Sequence, residues 1–399
     1  MARPRFEVAD VLRAHGDAFL QARPQPPHAC SALNLIRICR TAALDGHLDR
    51  CKACGFERPS YNSCRNRHCP KCQTTAKQEW LEARRAELLD VPYLHCVFTC
   101  PHELNPLILQ NRGAALGLLF KTVNDTLKGF AAEPKWKLGG QPGFIAVLHT
   151  WNQELMDHFH LHVIIPAGVL RGSEFIRSPQ ARFLFPVRAL SRVFAAKYRD
   201  GLLRLFEAGR LGFHGKLEPF ADPAAFRRLV NETKKKPWTV YAKRPFGGPA
   251  QVFDYLGRYT HRVAINNHRI QHVGGGKVTF TAKDRKKNRT RRVELDALEF
   301  IRRFTLHILP PGFQKIRAYG FLSNSVKKEL LQTIRKSLGQ APPPEPPEDE
   351  DPGSAAERIK RLTGLDITRC PNCGGRLVPG PIPLDWLRKE IQPRAQAPP

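Results

Sequence analysis

The chain is short of acid and contains no long apolar run. Of its 399 residues, 36 are Asp or Glu against 64 Lys or Arg, leaving a formal net charge of +28. An excess of that size favours a polyanionic partner, with nucleic acid ahead of an anionic membrane surface. With no run of about 18 or more consecutive apolar residues, no transmembrane helix is expected. The opening Met-Ala-Arg-Pro-Arg-Phe-Glu-Val-Ala-Asp lacks the apolar core of a signal peptide, so a cytoplasmic protein is expected. No internal repeat is visible. The eleven cysteines are odd in number, and most sit in short-spaced pairs. That usage suits metal-bound thiolates in a reducing compartment better than a disulfide framework. The length is too great for one small domain and enough for two or three.

The most informative stretch that is present is His158-Phe159-His160-Leu161-His162-Val163-Ile164-Ile165-Pro166. Alternate side chains of a β-strand point to opposite faces, so His158, His160 and His162 share one face while Phe159, Leu161 and Val163 share the other. Three imidazoles beside an apolar layer are what a divalent metal site on a sheet requires.

A second concentration lies in the first ninety or so residues. Cys51-Lys-Ala-Cys54 and Cys69-Pro-Lys-Cys72 are two C-x2-C knuckles separated by fourteen residues, a spacing that closes a tetrahedral thiolate site on one zinc ion. Cys51, Cys54, Cys69 and Cys72 are the expected ligands, with Cys64 or His68 as substitutes. Arg65, Arg67 and Lys71 surround the site, and a zinc-stapled knob with that charge reads as a nucleic-acid-binding head.

The expected domains are a zinc-binding DNA-recognition domain over 1–90 and an α+β domain over 91–338 with a helical insertion at 171–236. A Pro-rich acidic linker at 339–355 and a tail at 356–399 with the lone knuckle Cys370-Pro-Asn-Cys373 follow. One knuckle is half a zinc site. It pairs with ligands elsewhere or is a decayed ribbon. Within 91–338, strands are predicted at 93–100, 144–150, the His-rich run, 237–243, 262–266, 269–273 and 277–283. Helices are predicted at 111–130, 190–207, after Pro249, and around 296–308 and 322–338. Cys96 and Cys100 have no knuckle partner and read as core thiols.

Tyr255-Leu-Gly-Arg-Tyr259 falls in the helix expected after Pro249, and positions i and i+4 share a helix face. Spacing alone favours two packing tyrosines on an amphipathic helix; the neighbouring residues turn the reading the other way. Tyrosine can attack a phosphodiester and form a phosphotyrosine, but with a pKa near 10 it needs an electrophilic phosphate, which an ion held by the histidines would provide. Arg258, His261 and Arg262 are close enough in sequence to hold flanking phosphates.

His160-Leu-His162 followed by paired tyrosines, behind the segment Tyr61-Asn-Ser-Cys64-Arg-Asn-Arg-His68-Cys69-Pro-Lys-Cys72-Gln73, resembles the transposases of rolling-circle insertion sequences, the two-tyrosine class of the HUH endonuclease superfamily. Val147-Leu-His-Thr-Trp-Asn152 and Tyr241-Ala-Lys-Arg-Pro-Phe-Gly-Gly-Pro249 carry the resemblance further, over roughly residues 10–330. After the His-rich strand the family commonly shows a Gly-rich run where this chain has Pro166-Ala-Gly-Val169.

The resemblance implies an HUH-type antiparallel-sheet nuclease domain with flanking helices. His160 and His162 match its metal-binding pair, and His158 matches an additional histidine, either a ligand or a partner of the ligands. His149, on the preceding strand, is the preferred third ligand, with Gln153 and Asp157 as alternatives. Tyr255 and Tyr259 match the paired nucleophiles. The implied cofactors are Mg or Mn for catalysis and Zn for structure. The implied partner is DNA, chiefly single-stranded or hairpin ends of a mobile element. The implied setting is the bacterial cytoplasm, in association with the nucleoid. Two other readings stay open: a plasmid rolling-circle replication initiator or relaxase of the same superfamily, and a non-catalytic zinc-dependent DNA-binding protein.

Overall fold

A computed structural model describes residues 4–85, 87–179, 185–246, 251–252, 257, 263–284, 288–342 and 354–383. The chain divides into two compact units that interleave in sequence: Met1–Trp80 with Ile265–Thr305 and Glu345–Pro399, and Leu81–Ala264 with Leu306–Pro344. The boundary expected near residue 90, the continuous domain 91–338 and the separate tail therefore give way to a different partition.

In the first unit, α1 (Val8–Ala22) and α2 (Pro27–Arg37) lead into a hairpin of β1 (Gly46–Cys51) and β2 (Glu57–Tyr61). The returning segment contributes a meander of β9 (Ile270–Gly274), β10 (Lys277–Asp284) and β11 (Arg289–Asp296), then α8 (Ala297–Thr305). The tail supplies α10 (Ala355–Thr363) and β13 (Leu377–Gly380), which pairs antiparallel with β1. The physical reason for the regrouping is visible in α8. Ala297, Phe300, Ile301 and Phe304 recur at helical spacing and are buried, and α8 packs on α1. The buried Val8 N–H donates to Asn267 Oδ1 at 3.1 Å. The strand expected at 262–266 is absent from its described residues 263–266, where Asn266 instead caps a short 3-10 turn. The Arg-rich strand β11 escaped the pattern because most of its residues are exposed, so no apolar alternation marks it.

The second unit is entered through α3 (Gln73–Arg85). It holds β3 (Tyr93–Thr99), α4 (Asn105–Gln110), α5 (Arg112–Ala132), β4 (Phe144–Trp151), β5 (Asp157–Pro166), the hairpin β6 (Gly168–Arg171) and β7 (Glu174–Arg177), α6 (Val187–Glu207), α7 (Pro223–Glu232), β8 (Val240–Phe246), β12 (Ile316–Tyr319) and α9 (Lys327–Leu338). Its five-stranded sheet has the order β12-β4-β5-β3-β8, every pair antiparallel, with the His-rich strand in the middle. Phe159, Leu161, Val163 and Ile165 face a core closed by Leu116, Leu119, Phe120 and Val123 of α5. Phe194, Tyr198 and Phe226 of α6 and α7 belong to the same core, so the segment expected as an insertion is structural. Gly168 is confined by packing: a Cβ there would lie 2.5 Å from the Phe175 ring.

The β4–β5 connection fixes the register on which the site depends. Asn152 Oδ1 accepts from the N–H groups of Glu154 (2.8 Å) and Met156 (3.0 Å), while the Asn152 N–H donates to Met156 O at 2.9 Å. Buried Leu155 adopts φ +61°, a conformation costly for a branched side chain. Its carbonyl lies 3.0 Å from His307 Nε2, and His307 Nδ1 lies 3.1 Å from Thr150 Oγ1. His307 thus ties both ends of the turn, and burial pushes its pKa down to about 4. A histidine whose folded pKa lies below its unfolded value contributes full stability above the unfolded value near 6.5, lost as pH falls towards the folded one. Between about pH 7 and about pH 4.5 the stability advantage of the native protein over His307→Gln should shrink by roughly 2–3 kcal/mol, read from paired denaturation curves. A gap independent of pH would show that His307 does not titrate as buried.

Candidate metal centres

The strand register brings three histidines together. His149 of β4 stands opposite His160 of β5, and Val147 opposite His162, so these residues share the face turned away from the core. All three are buried, and one ring nitrogen from each lies within 4.8 Å of the others. His160 Nε2 and His162 Nε2 are 3.1 Å apart. Metal–nitrogen bonds of about 2.0–2.2 Å place adjacent ligand nitrogens roughly 3.0–3.5 Å apart, so the spacing fits one shared ion. The tautomers agree. His160 Nδ1 lies 2.9 Å from the carbonyl of His158 and donates to it, which puts the ring's lone pair on Nε2, the nitrogen that faces His162 Nε2. His158 itself stacks with His102 at 5.2 Å and lies outside the three-nitrogen group. Asp157, one of the alternative third ligands, is likewise not in it.

Sequence reasoning missed His95. It sits on β3, across from Ile164 of β5, and is buried. Its Nε2 is 2.9 Å from His162 Nδ1, with the two rings stacked at 5.1 Å. The contact of His162 Nδ1 with His95 orients the ring with Nε2 towards His160. The only signal in the sequence is one histidine in a predicted buried strand, which does not announce a partner 67 positions away. His149 also stacks on Trp151 at 4.9 Å. Trp238, by contrast, packs between Phe194 and Tyr198 in the core.

The cysteines require a correction. Cys51, Cys54, Cys69 and Cys72 do not form one tetrad. Cys69 and Cys72 group with Cys39 and Cys64, and Cys51 and Cys54 group with Cys370 and Cys373, each set having its sulfurs within 4.8 Å of one another. Cys72 Sγ lies 3.4 Å from Cys39 Sγ and 3.6 Å from Cys64 Sγ. These separations exceed a disulfide bond of about 2.05 Å and approach the edge of about 3.8 Å that Zn–S bonds of about 2.3 Å give a tetrahedron. Cys39, at the end of α2 and 25 residues before Cys64, has no short-spaced partner, so spacing could not reveal it. His68 stays outside the set and lies 3.3 Å from Arg67 Nε. Cys96 and Cys100 are core thiols, pushed up to about 12 by burial.

The expected DNA-contacting residues separate in the same way. Arg65 is exposed, at φ +51°. Arg67 is half-buried, and burial lowers its pKa. Lys71 is committed inside the fold: its Nζ pairs with Glu7 at 2.5 Å and donates to the Cys39 carbonyl at 3.1 Å, which corrects its assignment as a DNA contact. Tyr255, Tyr259, Arg258, His261 and Arg262 lie outside the described residues.

Two segments of the chain match known protein families. Residues 11–100 match the family described as "Transposase zinc-binding domain", and residues 143–329 match the family described as "Putative transposase". The "Putative transposase y4qJ" of Sinorhizobium fredii is 44% identical over 380 residues, 94% of each chain. The "Transposase for insertion sequence element IS801" of Pseudomonas savastanoi pv. phaseolicola is 29% identical over 318 residues, 79% of this chain and 74% of its own. No solved structure matches. The three-cysteine segment Cys64–Cys72 with Cys39 falls inside the zinc-binding match, and the histidine cluster falls inside the other. The chain belongs to the transposase family of the insertion sequences IS91 and IS801 and carries that family's zinc-binding domain at its amino-terminal end.

Proposed function

We propose that this transposase cuts and rejoins single-stranded DNA at the ends of its element by metal-assisted tyrosine attack, in rolling-circle transposition. The observation that carries the reading is the cluster of His149, His160 and His162 on the central strands of an antiparallel sheet, with one ring nitrogen from each converging. A bound divalent ion, Mg or Mn, would polarise the scissile phosphate and fix it for in-line attack. Three imidazoles without a carboxylate suit Mn better than the oxygen-seeking Mg.

Tyr255 or Tyr259 is the nucleophile. Its phenolic oxygen forms a bond to phosphorus as the bond to the 3′ oxygen breaks. The phenol proton goes to solvent or a nearby base, and the leaving oxygen becomes a 3′ hydroxyl. The 5′ side stays joined as a phosphotyrosine. The second tyrosine holds another strand in the same way. A free 3′ hydroxyl then attacks that phosphotyrosine, restores the phenol and completes transfer without hydrolysis. Arg258, His261 and Arg262 hold flanking phosphates, and Arg65 and Arg67 of the zinc-binding domain contact DNA. Tyr241 of β8 stands opposite Val97, which stands opposite His162, so it shares the site's face of the sheet; it is 50% exposed and offers a base a stacking platform.

The test is a covalent adduct. Protein incubated with single-stranded element ends and Mn should form a denaturation-resistant complex whose tyrosyl-linked peptide contains Tyr255 or Tyr259. His160→Ala or His162→Ala should lower its rate by about 100-fold or more. Undiminished adduct in the Tyr255→Phe/Tyr259→Phe double variant would overturn the mechanism. His95→Ala should weaken Mn binding by about tenfold, measured by Mn paramagnetic resonance, because the His162 ring loses its orienting partner. Equal affinity in native and variant protein would remove His95 from the site.

A further inference from the structure

Outside both the zinc tetrad of Cys39, Cys64, Cys69 and Cys72 and the histidine cluster, a second set of four cysteines converges in the first unit: Cys51, Cys54, Cys370 and Cys373. Cys51 Sγ lies 3.5 Å from Cys373 Sγ, and Cys54 Sγ lies 3.6 Å from Cys370 Sγ, across 322 and 316 positions of sequence. Such separations are too long for a sulfur–sulfur bond of about 2.05 Å and close to the edge, about 3.8 Å, of a zinc tetrathiolate.

The two halves are also built alike. In the first, the Cys51 N–H donates to Phe56 O at 2.8 Å and the Gly55 N–H donates to Cys51 O at 3.0 Å. In the second, the Cys370 N–H donates to Gly375 O at 2.7 Å and the Gly374 N–H donates to Cys370 O at 2.9 Å. Gly55 has φ +72° and Gly374 has φ +73°, so both knuckles turn through the same left-handed glycine. Each knuckle presents one buried and one exposed cysteine: Cys51 with Cys54, and Cys370 with Cys373. Around the sulfurs, Leu377 and Phe56 form a small apolar cluster with Cys51 and Cys370. β13 pairs with β1 in a register that sets Leu377 opposite Cys51. A Cβ added to Gly375 would come within 3.2 Å of Cys51 Sγ and 3.3 Å of Cys373 Sγ, so the backbone there is wrapped tightly on the cluster.

We propose that Cys51, Cys54, Cys370 and Cys373 form a second, structural zinc site, assembled from two distant knuckles, that fastens the carboxy-terminal segment into the first unit. Four thiolates select a thiophilic tetrahedral ion over Mg or Mn, and a closed tetrathiolate leaves no position for substrate, so the role is structural. Neither matched family segment reaches Cys370 and Cys373. The lone knuckle that the sequence offers is thus the missing half of the site begun at Cys51.

The test counts thiolate-bound zinc in the purified full chain. A thiol-blocking mercurial should release two equivalents per chain from the native protein, read with a colorimetric zinc indicator. Zinc held only by histidine is not counted in this way. Cys370→Ser/Cys373→Ser should release one. Cys373→His supplies a control that retains a fourth ligand: it should still release two, and its cobalt-substituted form should show a shifted visible band with weaker sulfur-to-cobalt charge transfer. One equivalent from the native chain would overturn the proposal. So would a Cys51–Cys373 or Cys54–Cys370 disulfide in the non-reduced protein, or two equivalents surviving in the double serine variant.

Discussion

The catalytic reading of this molecule rests on one pairing register. A strand carries side chains with period two, so a slip of one residue between β4 and β5 would move His160 and His162 to the face that holds Phe159 and Leu161. It would also bury imidazoles in the core. What prevents the slip is local and specific: the Asn152 side chain satisfies two turn N–H groups, and His307 bridges Leu155 and Thr150. The apolar face enforces the same answer from the other side, because Phe159, Leu161, Val163 and Ile165 have nowhere else to go but against α5 and α6. Turn chemistry and core packing therefore agree on one alignment, and the site inherits its precision from both.

Much of the second unit was legible because its signals are periodic. The His-rich strand, the strands before it and the long helices α5 and α6 announce themselves by spacing, and each lies within a few residues of where the pattern sets it. The grouping of the histidines was legible in part. His160 and His162 share a strand face and His149 lies on the strand before it, whereas His158, on the same face, falls outside the group. His95 was not legible, because its contact with His162 exists only once β3 has taken its place beside β5. The failed strand at 262–266 and the overlooked β11 are opposite errors of one kind. A β-like run was broken by a side-chain cap at Asn266, and a real strand was hidden by exposed arginines.

The cysteines show where spacing misleads. C-x2-C motifs pair in sequence order only when the intervening loop closes on itself. Here the chain between Cys54 and Cys64 is spent on the β1–β2 hairpin, which carries Cys51 and Cys54 to one place while Cys64, Cys69 and Cys72 gather at the end of α2. Each knuckle then takes the partner nearest in space. Cys39 and the tail knuckle are the ones left available. The fate of Lys71 follows from the same rearrangement. A basic side chain inside a C-x2-C knuckle looks exposed in sequence, yet its ammonium is held by Glu7 and the Cys39 carbonyl. The charge excess still points to a polyanion, but it is the exposed members, such as Arg65, that carry that meaning.

A unit assembled from three separated segments needs something to hold its last segment in place. The entropic penalty for bringing Cys54 and Cys370 together across 316 positions exceeds that for a ten-residue loop by only about 3 kcal/mol, since it grows with the logarithm of length. A tetrathiolate zinc contributes on the order of 10 kcal/mol or more to the fold that binds it. The apolar contact of Leu377 with Phe56, Cys51 and Cys370 adds a few kcal/mol at most. A zinc ion on the four sulfurs therefore outweighs every other contact named here in fastening the tail, and it keeps β13 on β1. The matched zinc-binding segment 11–100 is then not the whole of the metal-stabilised structure. That structure is completed only when residues 370–380, made long after the first knuckle, return to the hairpin formed near the beginning of the chain.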